Sequence, residues 1–182
     1  MRARHRGRRV EVWFADEARF GQKGTLTRVW AQRGTRPTAP KQTAYGNLYV
    51  LTAVCPTSGR AEGLVSPTLN TAVVQTFLDQ LSATVPQRTH VVLVWDGAGY
   101  HSASGALVVP ANITAITLPP YSPELNPVER LWLYLREHYW SNRVYPDLDA
   151  LEDAAITGWR AVCLHPDKVK TVCRCEYLTG GS

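Results

Sequence analysis

Residues 89–97 read THVVLVWDG. From His90 to Trp95 nearly every side chain is apolar, without the alternation that a half-wet strand would show. Such a run suits a strand buried on both faces, at the centre of a sheet with helices on its two sides. It stops at Asp96, and Gly97 and Gly99 lie just beyond. Sheets of this kind hold their ligands outside the ends of the strands, so Asp96 stands where chemistry is expected.

Moving toward the N-terminus, Asn70 is a helix cap followed by Val73, Val74, Phe77, Leu78 and Leu81 at helical spacing, and Pro86 marks the helix end. Before it, Tyr45 to Val54 reads as a strand. The turn Pro56-Thr57-Ser58-Gly59 then leads into a hairpin partner at Ala61 to Val65. The first strand begins at Val10 and is expected to end at Asp16 and Glu17. A turn at Gly21-Gln22-Lys23-Gly24 precedes a second strand from Leu26 to Gln32, broken by Gly34 to Pro40.

Toward the C-terminus, Ser102 to Val108 is a weak helix and Ile113 to Leu118 a strand closed by Pro119-Pro120. Asn126-Pro127 opens a strong helix through Trp140, Leu148 to Leu164 forms another, and the tail from His165 is polar. Strands come first as a meander and then alternate with helices. The order predicts an α/β fold: a mixed sheet, antiparallel then parallel, with helices on both faces.

The chain has 182 residues, 45% of them hydrophobic and 19% charged, which is one ordinary globular domain. No apolar stretch reaches the ~18 residues of a membrane span, and the basic start lacks the apolar core of a secretory signal. Four cysteines are too few for a disulfide framework, so a reduced cytoplasmic setting is expected. Cys163, Cys173, Cys175 and His165 have a C-x-C spacing unusual for structural zinc, and no C-x₂-C pair accompanies it. The net charge is +5, and Arg2, Arg4, Arg6, Arg8 and Arg9 all precede the first acid, Glu11. The basic excess therefore sits in one arm, able to contact nucleic-acid phosphates or to remain a solvated tail.

Three carboxylates stand out by position: Asp16 and Asp96 at strand ends, and Glu129 in the first turn of the helix opened by Asn126-Pro127. If the two strands are neighbours, the aspartates share a crevice that this helix can close. Converging carboxylates repel unless a cation lies between them, and oxygen-only donors select Mg²⁺ or Mn²⁺. A pair of such ions can activate a nucleophilic oxygen and stabilise a leaving oxygen on phosphorus. Each acid also has a plainer reading. Asp is common in turns, and Asn126, Pro127 and Glu129 fit a capping box.

Glu17 and Glu124 are neighbours able to substitute within the trio. His101 can orient a phosphate or a water, or simply cap a helix. Arg33, Arg36 and Lys41 flank the Gly/Pro-rich segment and can touch a DNA backbone or stay solvated. Trp132, Tyr134, Tyr139 and Trp140 read mainly as packing residues, with base stacking as the alternative.

The segments WFADEARFGQKG (13–24), VWDGAGYH (94–101) and LPPYSPELNPVERLW (118–132), with RVWAQRGTRP (28–37), resemble the catalytic domain of DDE transposases, in particular the bacterial insertion-sequence branch of the mariner-like superfamily. The resemblance runs from about Val10 to about Cys163 and is most specific in PPYSPELNPVERLW. It implies a ribonuclease-H-like five-stranded sheet and assigns Asp16, Asp96 and Glu129 as catalytic and metal-binding, with two Mg²⁺ or Mn²⁺ ions. It also implies that transposon ends are cut and the freed 3′-hydroxyl joined to target DNA. Glu17, His101, Asn126, Arg33, Arg36, Lys41, Arg8 and Arg9 are supporting or DNA-contact candidates. Gly97 departs from the Asn that many relatives have after the second Asp.

The expected organisation is a basic arm at 1–9, the catalytic domain at 10–146, and a C-terminal helix and tail at 147–182 packed on that domain. Relatives usually carry helix-turn-helix modules ahead of the catalytic domain, where this chain has only the arginine arm. The expected partners are therefore double-stranded DNA and either a second copy or an upstream helix-turn-helix polypeptide, at the bacterial nucleoid.

Overall fold

The computed structural model describes residues 7, 9–23, 32–34, 45–96 and 107–179. Among the described residues, five strands form one sheet in the order β3-β2-β1-β4-β5: β1 Arg9–Gly21, β2 Asn47–Cys55, β3 Arg60–Ser66, β4 Thr89–Trp95 and β5 Ile113–Thr117. β1–β2 and β2–β3 are antiparallel, whereas β1–β4 and β4–β5 are parallel. This is the mixed sheet that the element order predicts, in the ribonuclease-H-like form that the family resemblance implies.

Alternation along β1 divides the molecule into two cores. Trp13 and Ala15 face α1 (Thr71–Thr84), packing with Val74, Phe77, Leu78 and Leu81. Phe14 and its neighbour Val12 face the opposite core, built from α2 (Val128–Leu135), α3 (Leu148–Cys163) and α4 (Pro166–Val172). The cap residues behave as their chemistry requires: the Asn70 side chain accepts from the Val73 N–H at 3.0 Å and Asp147 from the Ala150 N–H at 2.8 Å. Among the described residues, no helix is long and apolar enough to cross a membrane.

β1 corrects one expectation. It does not end at Asp16 and Glu17 but runs on to Gly21, because β2 pairs with it from Phe14 to Gly21. The parallel ladder to β4 does end there, at Phe14↔Val94. Asp16 therefore sits inside a strand but beyond the pairing that closes that side of the sheet.

The helix expected from Asn126 to Trp140 is α-helical only to Leu135, and Arg136–Trp140 continues it as a π turn, with the Ser141 N–H bonded to the Arg136 carbonyl at 3.0 Å. The tail is not merely polar. α4 and a short α5 (Glu176–Thr179) return to the sheet, and Val169, Cys173 and Cys175 are buried in the core. Burial pushes the Cys163 thiol up, and the Cys173 thiol up to about 12, so these cysteines act as small hydrophobes. Among the described residues, none of them belongs to a group placed to hold a metal. The strand expected at Leu26 to Gln32 falls on residues 24–31 and the weak helix from Ser102 on residues 97–106, which lie outside the described residues except for the ends at Gln32 and Leu107–Val108.

Candidate active site

Continuing the β1–β4 register past Phe14↔Val94 sets Asp16 beside Asp96. Glu129 comes from the first turn of α2, and these three acids line one cleft of about 540 Å³. Its opposite wall is the segment from Thr117 to Pro123, with Asn126 at the base. The helix is fixed against the strand through Asn126: its side-chain N–H donates to the Ala15 carbonyl at 3.0 Å, and its oxygen accepts from the Val128 N–H at 3.1 Å.

The capping box is only half made. Asn126 does cap the helix, but its own backbone N–H donates to the Pro123 carbonyl at 2.9 Å. That leaves nothing at the cap for Glu129 to accept, and Glu129 lines the cleft as an exposed residue.

Trp132, one turn beyond Glu129, is buried and donates its indole N–H to Asp16 Oδ2 at 2.9 Å. Packing was the main sequence reading of Trp132. The available signal was its spacing of three from Glu129, which puts both on one helical face.

Glu17 also reaches the site. One oxygen each from Asp16, Glu17 and Asp96 lie within 4.8 Å of one another. Successive residues of a strand point to opposite faces, so Glu17 approaches from the α1 side. There it lines a small recess with Leu51, Val74, Phe77 and Trp95.

Burial is the main force on these acids. It raises the Asp16 carboxyl to about 6, aided by Glu129 and Asp96 and opposed by the Trp132 hydrogen bond and by a backbone N–H. Burial, with Asp96 and Asp16 nearby, raises Glu17 to about 8. The cluster thus has an unbalanced negative charge when ionised. Its donors are all carboxylate oxygens, the set that hard divalent cations prefer.

The cleft wall is tied from behind. The Tyr177 hydroxyl donates to the Leu125 carbonyl at 2.6 Å, and its ring meets Phe14 of β1 edge-on, with centroids 6.3 Å apart. The C-terminal segment thereby holds the turn Pro123–Leu125 that carries the wall into α2.

Of the other candidates, Arg9 and Arg33 are among the described residues. Arg9 starts β1, seven residues or ~23 Å from Asp16 along the strand, and is paired with Glu11 at 3.2 Å. Arg33 is exposed in a turn. Arg8, Arg36, Lys41 and His101 lie outside the described residues.

The acids thus form a carboxylate cleft at the parallel end of a ribonuclease-H-like sheet. The chain belongs to the DDE superfamily endonucleases, whose family model matches residues 11–152. It is 39% identical over 124 residues to the uncharacterized protein y4pE/y4sA of Sinorhizobium fredii (strain NBRC 101917 / NGR234), covering 68% of this chain and 91% of that protein. Among solved structures it is similar to the Mos1 transposase paired-end complex with left transposon end, at TM-score 0.63 and 15% identity over 90% of this chain and 51% of that one. The Mos1 mariner paired end complex with Mn gives TM-score 0.61 and 15% identity over 94% and 56%. The chain thus spans about half the length of Mos1, and at this identity the likeness is one of fold.

Proposed function

We propose that this chain is the catalytic domain of a DNA transposase, cutting transposon ends and joining the 3′-hydroxyl to target DNA by in-line phosphoryl transfer. The observation that carries the reading is that Asp16, Asp96 and Glu129, from three separate elements, line one cleft. The donor set fits Mg²⁺ or Mn²⁺, which Asp16, Asp96 and Glu129 would hold. Two such ions would supply Lewis acidity and charge neutralisation at the phosphorus.

The chain's own contribution is positioning. Trp132 fixes the orientation of the Asp16 carboxylate, and Asn126 holds the helix that presents Glu129. The proline-bounded wall limits the approach of the DNA strand to the open side of the cleft. Double-stranded DNA is the partner this reading requires, and the bacterial nucleoid is where it is met.

The test is Mg²⁺- or Mn²⁺-dependent cleavage of DNA carrying the element ends, with joining of pre-cut ends assayed in parallel. Asp96→Asn should abolish both while the circular dichroism spectrum stays that of the wild type. Unchanged cleavage by this variant would remove Asp96 from the reaction. Cleavage without joined product would make the domain a hydrolytic nuclease.

A further inference from the structure

Beside the acid cleft lies a second pocket of about 110 Å³, and its lining is basic and aromatic. We infer that it binds a backbone phosphate of the same DNA strand whose reacting phosphate enters the acid cleft, a step or more further along that strand. The inference rests on the phosphoryl-transfer reading of that cleft.

Arg19 and Lys23 come from the far end of β1 and the turn after it, and Arg136 from the start of the π turn. All three side chains are exposed. Among the described residues none is paired with a carboxylate; the ion pairs there belong to Arg9, Arg60 and Lys170. Three cations left without acids around one small hollow form a site for an anion. Lys23 stands 5.8 Å from the Tyr45 ring centroid, a contact that holds the amine without neutralising it.

Trp132 joins the two sites. Its indole N–H holds Asp16, and its ring forms part of the wall of the basic pocket together with Trp140. Asp16 and Phe20, which also lines the pocket, lie four residues apart on one strand, ~13 Å. A DNA strand with one phosphate at the acids can therefore lay a later one over the pocket. The π turn supplies the geometry. The wider turn begins at Arg136, directly after the regular helix, and π turns often occur at functional positions. Arg and Lys without a base-reading partner favour phosphate over base, so the contact sets register rather than sequence preference.

The experiment uses the full chain in EDTA, where binding is read without turnover. Fluorescence anisotropy with an end-containing duplex is measured from about 50 to 200 mM salt. Arg19→Ala, Lys23→Ala and Arg136→Ala should each weaken binding evenly across DNA sequences and reduce the log–log salt slope by about 0.9. Arg136→Lys should restore most of the slope. Neutral methylphosphonates placed one position at a time should reveal a phosphate whose neutralisation weakens the wild type but has no further effect on Arg136→Ala.

Unchanged slopes in all three alanine variants would overturn the inference, as would a methylphosphonate effect of equal size in wild type and Arg136→Ala, or no DNA binding at all. Lost slope with no metal-dependent cleavage by the wild type would leave the pocket standing and remove the transposase reading. Cleavage with unaltered slopes would remove the pocket alone.

Discussion

The Asn126 side chain donates to the backbone carbonyl of Ala15 at 3.0 Å, joining two residues 111 positions apart. Ala15 precedes Asp16 on β1, and Asn126 caps the helix that carries Glu129. One buried amide therefore sets the distance between the first and last acids of the cleft.

Asn126→Ala removes both the cap and this cross-link, leaving the Ala15 carbonyl buried without its donor. The expected loss of stability is about 1–3 kcal/mol in urea denaturation. Asn126→Asp keeps the cap acceptor but not the donor to Ala15, so it should rescue only part of the loss. A midpoint equal to wild type for Asn126→Ala would show that the link carries no stability.

Trp132→Phe keeps an aromatic ring in the core and deletes the N–H that steadies ionised Asp16. That bond lowers the Asp16 pKa against the effect of burial. In the metal-free variant the carboxyl should titrate above its present value of about 6, as followed by NMR of the side-chain carbon. An unmoved titration would show that the indole acts through packing alone.

In the metal-free protein, acidity should stabilise. The folded chain holds protons on Asp16 and Glu17 at pH values where the unfolded chain has released them, the pKa rising from 3.8 to about 6 and from 4.5 to about 8. Their contribution is full below about 4 and is lost as the pH climbs through about 6 and then about 8. The melting temperature in EDTA should fall across that window. Mg²⁺ or Mn²⁺ should raise it, more at the alkaline end, because an ion binds the deprotonated ligands of the folded chain. A melting temperature that ignores both pH and metal would mean the acids are not clustered in solution.

Tyr121 is fully exposed on the cleft wall and holds a φ of 59°, a left-handed conformation that bulky residues rarely adopt. Tyr121→Gly should leave stability unchanged or raise it by up to about 1 kcal/mol, since the strain is relieved and no packing is lost. Its effect on DNA cleavage should be a loss, because the wall forfeits its aromatic face. A destabilised variant would show that the ring supports the fold.

Much of this architecture was legible from residue pattern. β4 was readable because five consecutive side chains, Val91 to Trp95, prefer the interior, and α1 because its cap and apolar stripe agree. The mixed sheet follows from the order of these elements, and its five-stranded, ribonuclease-H-like form was implied by the family resemblance. The extent of β1 was not readable. Residues 16–21 owe their strand state to antiparallel pairing with β2, whose register depends on contacts about 30 positions away. The burial of Val169, Cys173 and Cys175 was hidden for a related reason: short apolar spacings in a polar tail become a core face only when a sheet is there to receive them.

The sequence alone determined which chemistry is available: carboxylates at Asp16, Asp96 and Glu129, a proline-rich segment before the last of them, and a central strand that must be buried. Those properties are local, set by side-chain type and by the period of the backbone. Only the tertiary structure decided that Glu17 comes within 4.8 Å of Asp16 and Asp96, that Trp132 serves Asp16, and that Arg19, Lys23 and Arg136 share a hollow. Each of these joins segments whose approach depends on strand register and helix packing, and burial then sets the charge that the assembled acids can bear.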